Sequence, residues 1–158
     1  MKWVIIGLTL LAAAANASTA TEKAACTRAA GSFMIGKVLS GPSYVSGKYL
    51  DGVQLSHTHI QLQNEADQKV YDIAIDNVFA SGYDNAGYNV PAPLNKLVYG
   101  TRVELCGLPF SGGMHWVHTN CGVTPTKSKP DGWVKILDSK GNPGSNLENR
   151  EEYCYLWN

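Results

Sequence analysis

The chain contains four histidines, and they fall in two tight pairs: His57 with His59, and His115 with His118. Imidazole titrates nearest neutral pH of all side chains and also binds metals through either ring nitrogen. Two such pairs therefore offer general acid–base catalysis, a zinc-type site, or both. Residues two apart on a strand share a face, so His57 and His59 point the same way, together with Leu55, Gln61 and Gln63. Same-face imidazoles at this spacing suit a shared divalent ion such as zinc. They equally suit the solvated face of a half-buried strand. His115 and His118 point apart on a regular strand; a bulge, or a strand ending near Val117, would bring both into one cleft.

Carboxylates and donors complete the candidate chemistry. Tyr71, Ile73 and Ile75 alternate with Asp72, Ala74 and Asp76. Pairing Ile60 with Tyr71 as core residues sets His59 opposite Asp72, His57 opposite Ala74 and Leu55 opposite Asp76. A carboxylate facing an imidazole fixes its tautomer and raises its basicity. Arg102 is read as a holder of anionic charge, with Glu104 on the same face; a surface ion pair is the plainer reading. Asn120 either stabilises developing negative charge or holds a turn. Gly112, Gly113 and Gly122 let backbone amides approach a ligand, or simply make turns. Tyr153, Tyr155 and Trp157 alternate, as a stacking ladder or as the inner face of a closing strand. The candidate catalytic set is His59, His118, Asp72, Arg102 and Asn120, and the candidate metal ligands are His57, His59, His115 and His118.

The elements that must carry these residues read as strands. Phe33–Leu39 is a strand ended by Ser40-Gly41-Pro42, and Val53–Gln63 is a second. Val70–Asp76 follows a polar turn, and Gly100–Gly107 is a strand framed by glycines. Ser111-Gly112-Gly113 turns the chain into a returning strand, Met114–Thr119. Gly132–Leu137 is a further strand. Thr19–Gly31 reads as an arm or a short helix, and Pro93–Leu97 as one helical turn. The expected class is all-β, a small closed barrel of the oligonucleotide/oligosaccharide-binding kind with one short helix at most, or alternatively a β-sandwich.

Residues 1–17 read as an export signal. Lys2 precedes an apolar run too short for a membrane span, and Ala15-Asn16-Ala17 has the small-x-small pattern of a cleavage site. Residues 18–158 then form one domain, secreted or periplasmic, without a membrane anchor. The formal charge of the whole chain is 0 at pH 7, which argues against a dedicated nucleic-acid binder. Cys26, Cys106, Cys121 and Cys154 all lie beyond the leader. An even count in an exported chain favours two disulfides, with three connectivities open. Cys121 with Cys154 and Cys26 with Cys106 is the preferred pairing, because it ties both termini to the barrel.

Two segments carry a resemblance. Gly113-Met114-His115-Trp116-Val117-His118 with Pro130-Asp131-Gly132-Trp133-Val134 resembles a group of small exported bacterial proteins of unknown function. These combine an OB-like barrel with a Gly-Gly-x-x-His-Trp-x-His segment and a downstream Asp-Gly-Trp. They also carry a histidine on an earlier strand and a Gly-x-x-Val-Glu-x-x-Gly strand, here Gly100–Gly107. His115–Gly122 is similar to a second uncharacterised family with a His-x-x-His-x-Asn-x-Gly segment. The resemblance spans roughly His57 to Ile136. It implies an exported barrel with a shared histidine segment and no particular reaction. The expectation is a metal-assisted hydrolase of phosphodiesters or similar substrates, or else a non-catalytic module binding a glycan, peptide or host protein.

Overall fold

A computed structural model describes the backbone of residues 7–157 and the side chains of residues 18–157. Part of the expected leader, residues 1–6 and the side chains up to residue 17, lies outside the described residues. The chain runs α1 (Gly7–Arg28), β1 (Ser32–Val45), β2 (Tyr49–Leu50), β3 (Val53–Gln54), β4 (His57–Asn64), β5 (Val70–Asp76), β6 (Arg102–Phe110), β7 (Gly113–His115), β8 (Trp133–Leu137) and β9 (Pro143–Asn146). Short 3₁₀ turns lie at Asn77–Phe79, Leu94–Lys96 and Cys154–Trp157. No helix among the described residues is long and apolar enough to cross a membrane.

Strands β1, β4, β5, β7 and β6 pair in that order, and β1 pairs again with β6, which closes a five-stranded barrel. This fits the OB-like expectation. Closure depends on β1, whose first half lies against β6 and whose second half lies against β4. The expected stop at Ser40-Gly41-Pro42 is instead a pair of register shifts within one long strand. Such irregularities bend a strand, as a small barrel requires. Strands β8 and β9 extend the sheet beyond β6, and β9 had no sequence signal.

Alternation sorts the side chains. Ile60, Leu62, Ile73, Ile75, Leu105, Met114 and Val134 meet inside the barrel. A second cluster of Val53, Val78, Phe79 and Tyr83 fills the space below the loops, against Leu55, Leu156 and Trp157. Disulfides join Cys26 to Cys106 and Cys121 to Cys154, the preferred pairing, and no described cysteine is free. Two disulfides fit an oxidising compartment.

Three local readings change. The hairpin of β4 and β5 sets Ile60 opposite Ile73, His57 opposite Asp76 and His59 opposite Ala74. That is two residues from the expected register, and an even slip keeps every side chain on its face. The strand expected to reach Thr119 ends at His115. The tail from Cys154 to Trp157 is a 3₁₀ turn rather than a strand, so Tyr153, Tyr155 and Trp157 form no cross-strand ladder.

Candidate active site

His57 and His59 stand on the outer face of β4, while Thr58, Ile60 and Leu62 face inward. Asp72, Ala74 and Asp76 stand beside them on β5. Strand β7 runs parallel to β5 with Met114 beside Ile73, so His115 falls level with Ala74 on the outer face. One row across the sheet is therefore His59, Ala74 and His115. The methyl group of Ala74 leaves a recess between the two imidazoles.

Asp76 is the hub. Its Oδ1 accepts from His57 Nε2 at 2.7 Å, and its Oδ2 lies 3.4 Å from His118 Nε2. The second distance is that of an ion pair, longer than a well-formed hydrogen bond. Burial pushes the Asp76 carboxyl up, but the interactions with His118 and His57 outweigh it and hold the group below the usual carboxylate range. Asp76 is fixed in place by its neighbour. Buried Asn77 accepts from Thr58 Oγ1 at 2.6 Å and donates to Ser56 Oγ at 3.0 Å. Neither Asn77 nor its hydroxyl partners stood out in the sequence, because buried polar side chains look like any loop composition.

The backbone turns at Trp116 to bring His118 to this hub. Trp116 has φ +54°, a conformation that bulky residues rarely adopt. Strand β7 stops there, and the chain swings His118 behind Asp76 instead of letting it point away from His115. This left-handed residue performs the role that a bulge was expected to fill. His118 is buried, with its ring stacked on Phe79 at 3.9 Å and tilted against Trp116 at 4.9 Å. Its Nδ1–H donates to the Thr119 carbonyl at 2.7 Å, while the buried Nε2 faces Asp76 at 3.4 Å without a hydrogen bond. The Asp-Gly-Trp segment secures the loop. Asp131 Oδ1 accepts from the Asn120 amide at 3.0 Å, and the Gly132 amide donates to the His118 carbonyl at 2.7 Å. A Cβ on Gly132 would lie 2.5 Å from the carbonyls of both Cys106 and Trp116.

The half-buried histidines differ in their electrostatics. The hydrogen bond to Asp76 raises the His57 imidazole above its ordinary value, against an opposing effect of burial. His115 is lowered, first by burial and then by the charges of His118 and His57, with Asp76 opposing. His59 Nδ1 lies 3.0 Å from both oxygens of Asp72, which also accepts from Gln61 Nε2 at 3.2 Å. The His59–Asp72 contact expected from the sequence is present, as a diagonal contact rather than between directly opposed residues.

The other nominated residues lie elsewhere or are otherwise engaged. Arg102 forms a two-pronged ion pair with Glu65 at the far end of β4 from His57, so it is no part of this face. Glu104 is buried and lies 3.7 Å from Lys135; burial and the neighbouring Glu22 push its carboxyl up to about 7. Asn120 donates its side-chain amide to the Val123 carbonyl at 2.8 Å and thus holds its own turn. Among the described residues no three or more His, Cys, Asp or Glu side chains are arranged to hold one metal ion. The structure adds Glu148, which the sequence reading passed over in a polar tail. It is fully buried, and neither carboxyl oxygen has a hydrogen-bond partner. Burial pushes it well above the usual carboxylate range, and the charge of Asp76 adds to the effect.

No protein-family model and no curated protein matches the chain.

Proposed function

We propose that this is a secreted hydrolase working by general acid–base catalysis on a phosphodiester or similar anionic ester, with His57 as the acid and His115 as the base. The observation that carries the reading is the divergence of these two imidazoles around one carboxylate. His57 is shifted toward its protonated form and His115 toward its neutral form. Groups pushed apart in this way hold opposite protonation states at one pH, as an acid and a base must.

His57 on β4 and His115 on β7 are separated by β5, about 10 Å between strand axes. His57 stands opposite Asp76 and His115 level with Ala74, so the span runs diagonally and a tetrahedral phosphoryl group would lie over β5 between Ala74 and Asp76. Neutral His115 accepts the proton of a water whose oxygen attacks phosphorus. Protonated His57 donates to the departing alcohol oxygen as its bond to phosphorus breaks. Proton exchange with solvent restores both rings. Asp76 orients His57, and His118 holds Asp76 from behind. The His59–Asp72 pair flanks the recess as a second polar contact. The metal-assisted version has weaker support, because the described side chains offer no three-residue ligand set; calorimetry with zinc tests it directly.

Hydrolysis of bis(4-nitrophenyl) phosphate is the decisive assay. A bell-shaped rate profile is expected, with His57→Ala and His115→Ala each losing about a hundredfold or more while thermal stability is retained. Activity untouched by both substitutions rejects the proposal.

One observation favours a binding module instead. Tyr49 and Tyr88 are 58% and 69% exposed, with hydroxyls 3.5 Å apart, and Tyr88 packs edge-on to Tyr44. Such rings suit stacking on a glycan. Glycan binding without hydrolysis, abolished by Tyr88→Ala, would favour this reading.

A further inference from the structure

Helix α1 lies against the outside of the barrel, and among its described side chains only Cys26 is fully buried. Helices in proteins are held mainly by an apolar face, and this one offers little. Two attachments take its place. Cys26 is bridged to Cys106 of β6. One turn upstream, Glu22 Oε2 lies 2.6 Å from Lys135 Nζ of β8. Beneath that ion pair is Glu104 of β6, 1% exposed, with Oε1 3.7 Å from the same ammonium and without a hydrogen-bond partner. We propose that Glu22, Glu104 and Lys135 form a pH-operated latch. It clamps the upstream turns of α1 to the barrel in mild acid and lets them swing out about the Cys26–Cys106 bridge above neutrality.

The charges give the direction. With Glu104 protonated, one carboxylate meets one ammonium, the cluster is neutral, and Glu104 can donate its proton to Glu22. With Glu104 ionised, two carboxylates face one ammonium where water is largely excluded, and they repel each other. Glu104 cannot retreat, because its strand is paired with β1 on one side and β8 on the other. Lys135 is also held on the barrel, over the Trp133 ring at 4.6 Å. Glu22 is the member free to leave. A groove lined by Thr19, Lys23, Phe33 and Met34 runs beside the upstream turns, so little packing opposes the movement. The other elements against Glu104 bring no competing charge among the described residues: its partner on β1 is Ile35, and Arg102 on its own strand is engaged by Glu65. Burial first, and Glu22 second, push the Glu104 carboxyl up to about 7. Docking of the helix therefore takes up a proton. Its contribution is full below the ordinary value of 4.5 and is lost as pH rises through about 7.

Hydrogen exchange of the α1 amides in the disulfide-bonded protein tests the latch, read as protection factors so that the intrinsic pH dependence of exchange is removed. Protection at Glu22–Ala25 should fall by about tenfold or more from pH 5.5 to pH 8, while the amides of β4 and β5 keep theirs. Glu104→Gln preserves the protonated shape and should stay protected at both pH values. Glu22→Gln, a change on the helix that leaves the barrel interior untouched, should also remove the pH dependence. His57→Ala should keep it. Protection that is independent of pH in the wild type overturns the proposal, as does an undiminished pH dependence in Glu104→Gln or Glu22→Gln. Loss of the dependence in His57→Ala would assign it to the histidine face, and an equal fall across β4 and β5 would make it global; either result overturns the latch. Loss or absence of hydrolysis has no bearing on it.

Discussion

Asp76 holds His57 on one oxygen at 2.7 Å and faces His118 with the other at 3.4 Å. One side chain thus links a half-exposed imidazole on β4 to a buried one beyond β7. One member of each histidine pair, His57 and His118, meets the same carboxylate, although the pairs lie 56 residues or more apart in sequence.

Asp76→Asn should therefore disable His57 more than remove it. The amide keeps the shape but not the charge, so the imidazole should fall toward its ordinary value, visible by NMR titration. Stability should change with pH in a defined direction. A histidine raised in the folded state contributes stability below its unfolded value near 6.5, and this is lost as pH rises through the folded value. Urea midpoints of wild type and variant should accordingly differ more at pH 5.5 than at pH 8.5 in respect of His57. An unchanged His57 titration would show that Asp76 does not tune it.

Glu148 gives a prediction of the same pH direction, but for an acid raised by burial rather than a base raised by a partner. Its carboxyl is raised by burial, so the folded state binds the proton more tightly than the unfolded chain does. That contribution is full below pH about 4.5 and is lost as pH rises toward the folded value. Glu148→Gln is close to isosteric with the protonated acid and should flatten this dependence. The variant should melt several degrees higher at pH 8 and little differently at pH 4. A large loss of stability at both pH values would instead mean that Glu148 works as a paired carboxylate.

Gly132 was legible only as part of a resemblance, and its physical role is close approach. Gly132→Ala forces a methyl group against two backbone carbonyls that cannot move independently. A loss of about 1–3 kcal/mol is expected by chemical denaturation, with a larger effect on any activity than on stability, because the displaced backbone carries His118. Wild-type behaviour would show that the loop yields without cost.

What the sequence made legible follows from periodicity. Alternation placed Ile60, Leu62, Ile73 and Ile75 inside and the histidines outside, and this held although the register differed by two. Register was not legible because each even slip satisfies the same alternation, and here the buried Asn77–Thr58 contact fixes β5 against β4. The turn at Trp116 escaped for a different reason. A left-handed tryptophan has no local signature, and the loop that follows it is held by Phe79, Gly132 and Asp131 from distant parts of the chain. Arg102 and Asn120 were nominated by residue type alone, and type says nothing about the partner that has already engaged the group.

The recess over Ala74 gives the sharpest separation of function from fold. Ala74 stands on the outer face between His59 and His115, where no core packing depends on its size. Ala74→Leu would fill the space above β5 without entering the barrel, and a leucine on a half-exposed strand position should alter stability by no more than about 1 kcal/mol. If an ester must sit between His57 and His115, its binding should fail, raising KM or abolishing turnover altogether. Full activity in Ala74→Leu, measured beside an unchanged melting temperature, would mean that the reacting group does not occupy this recess and that the two imidazoles do not act on it from opposite sides.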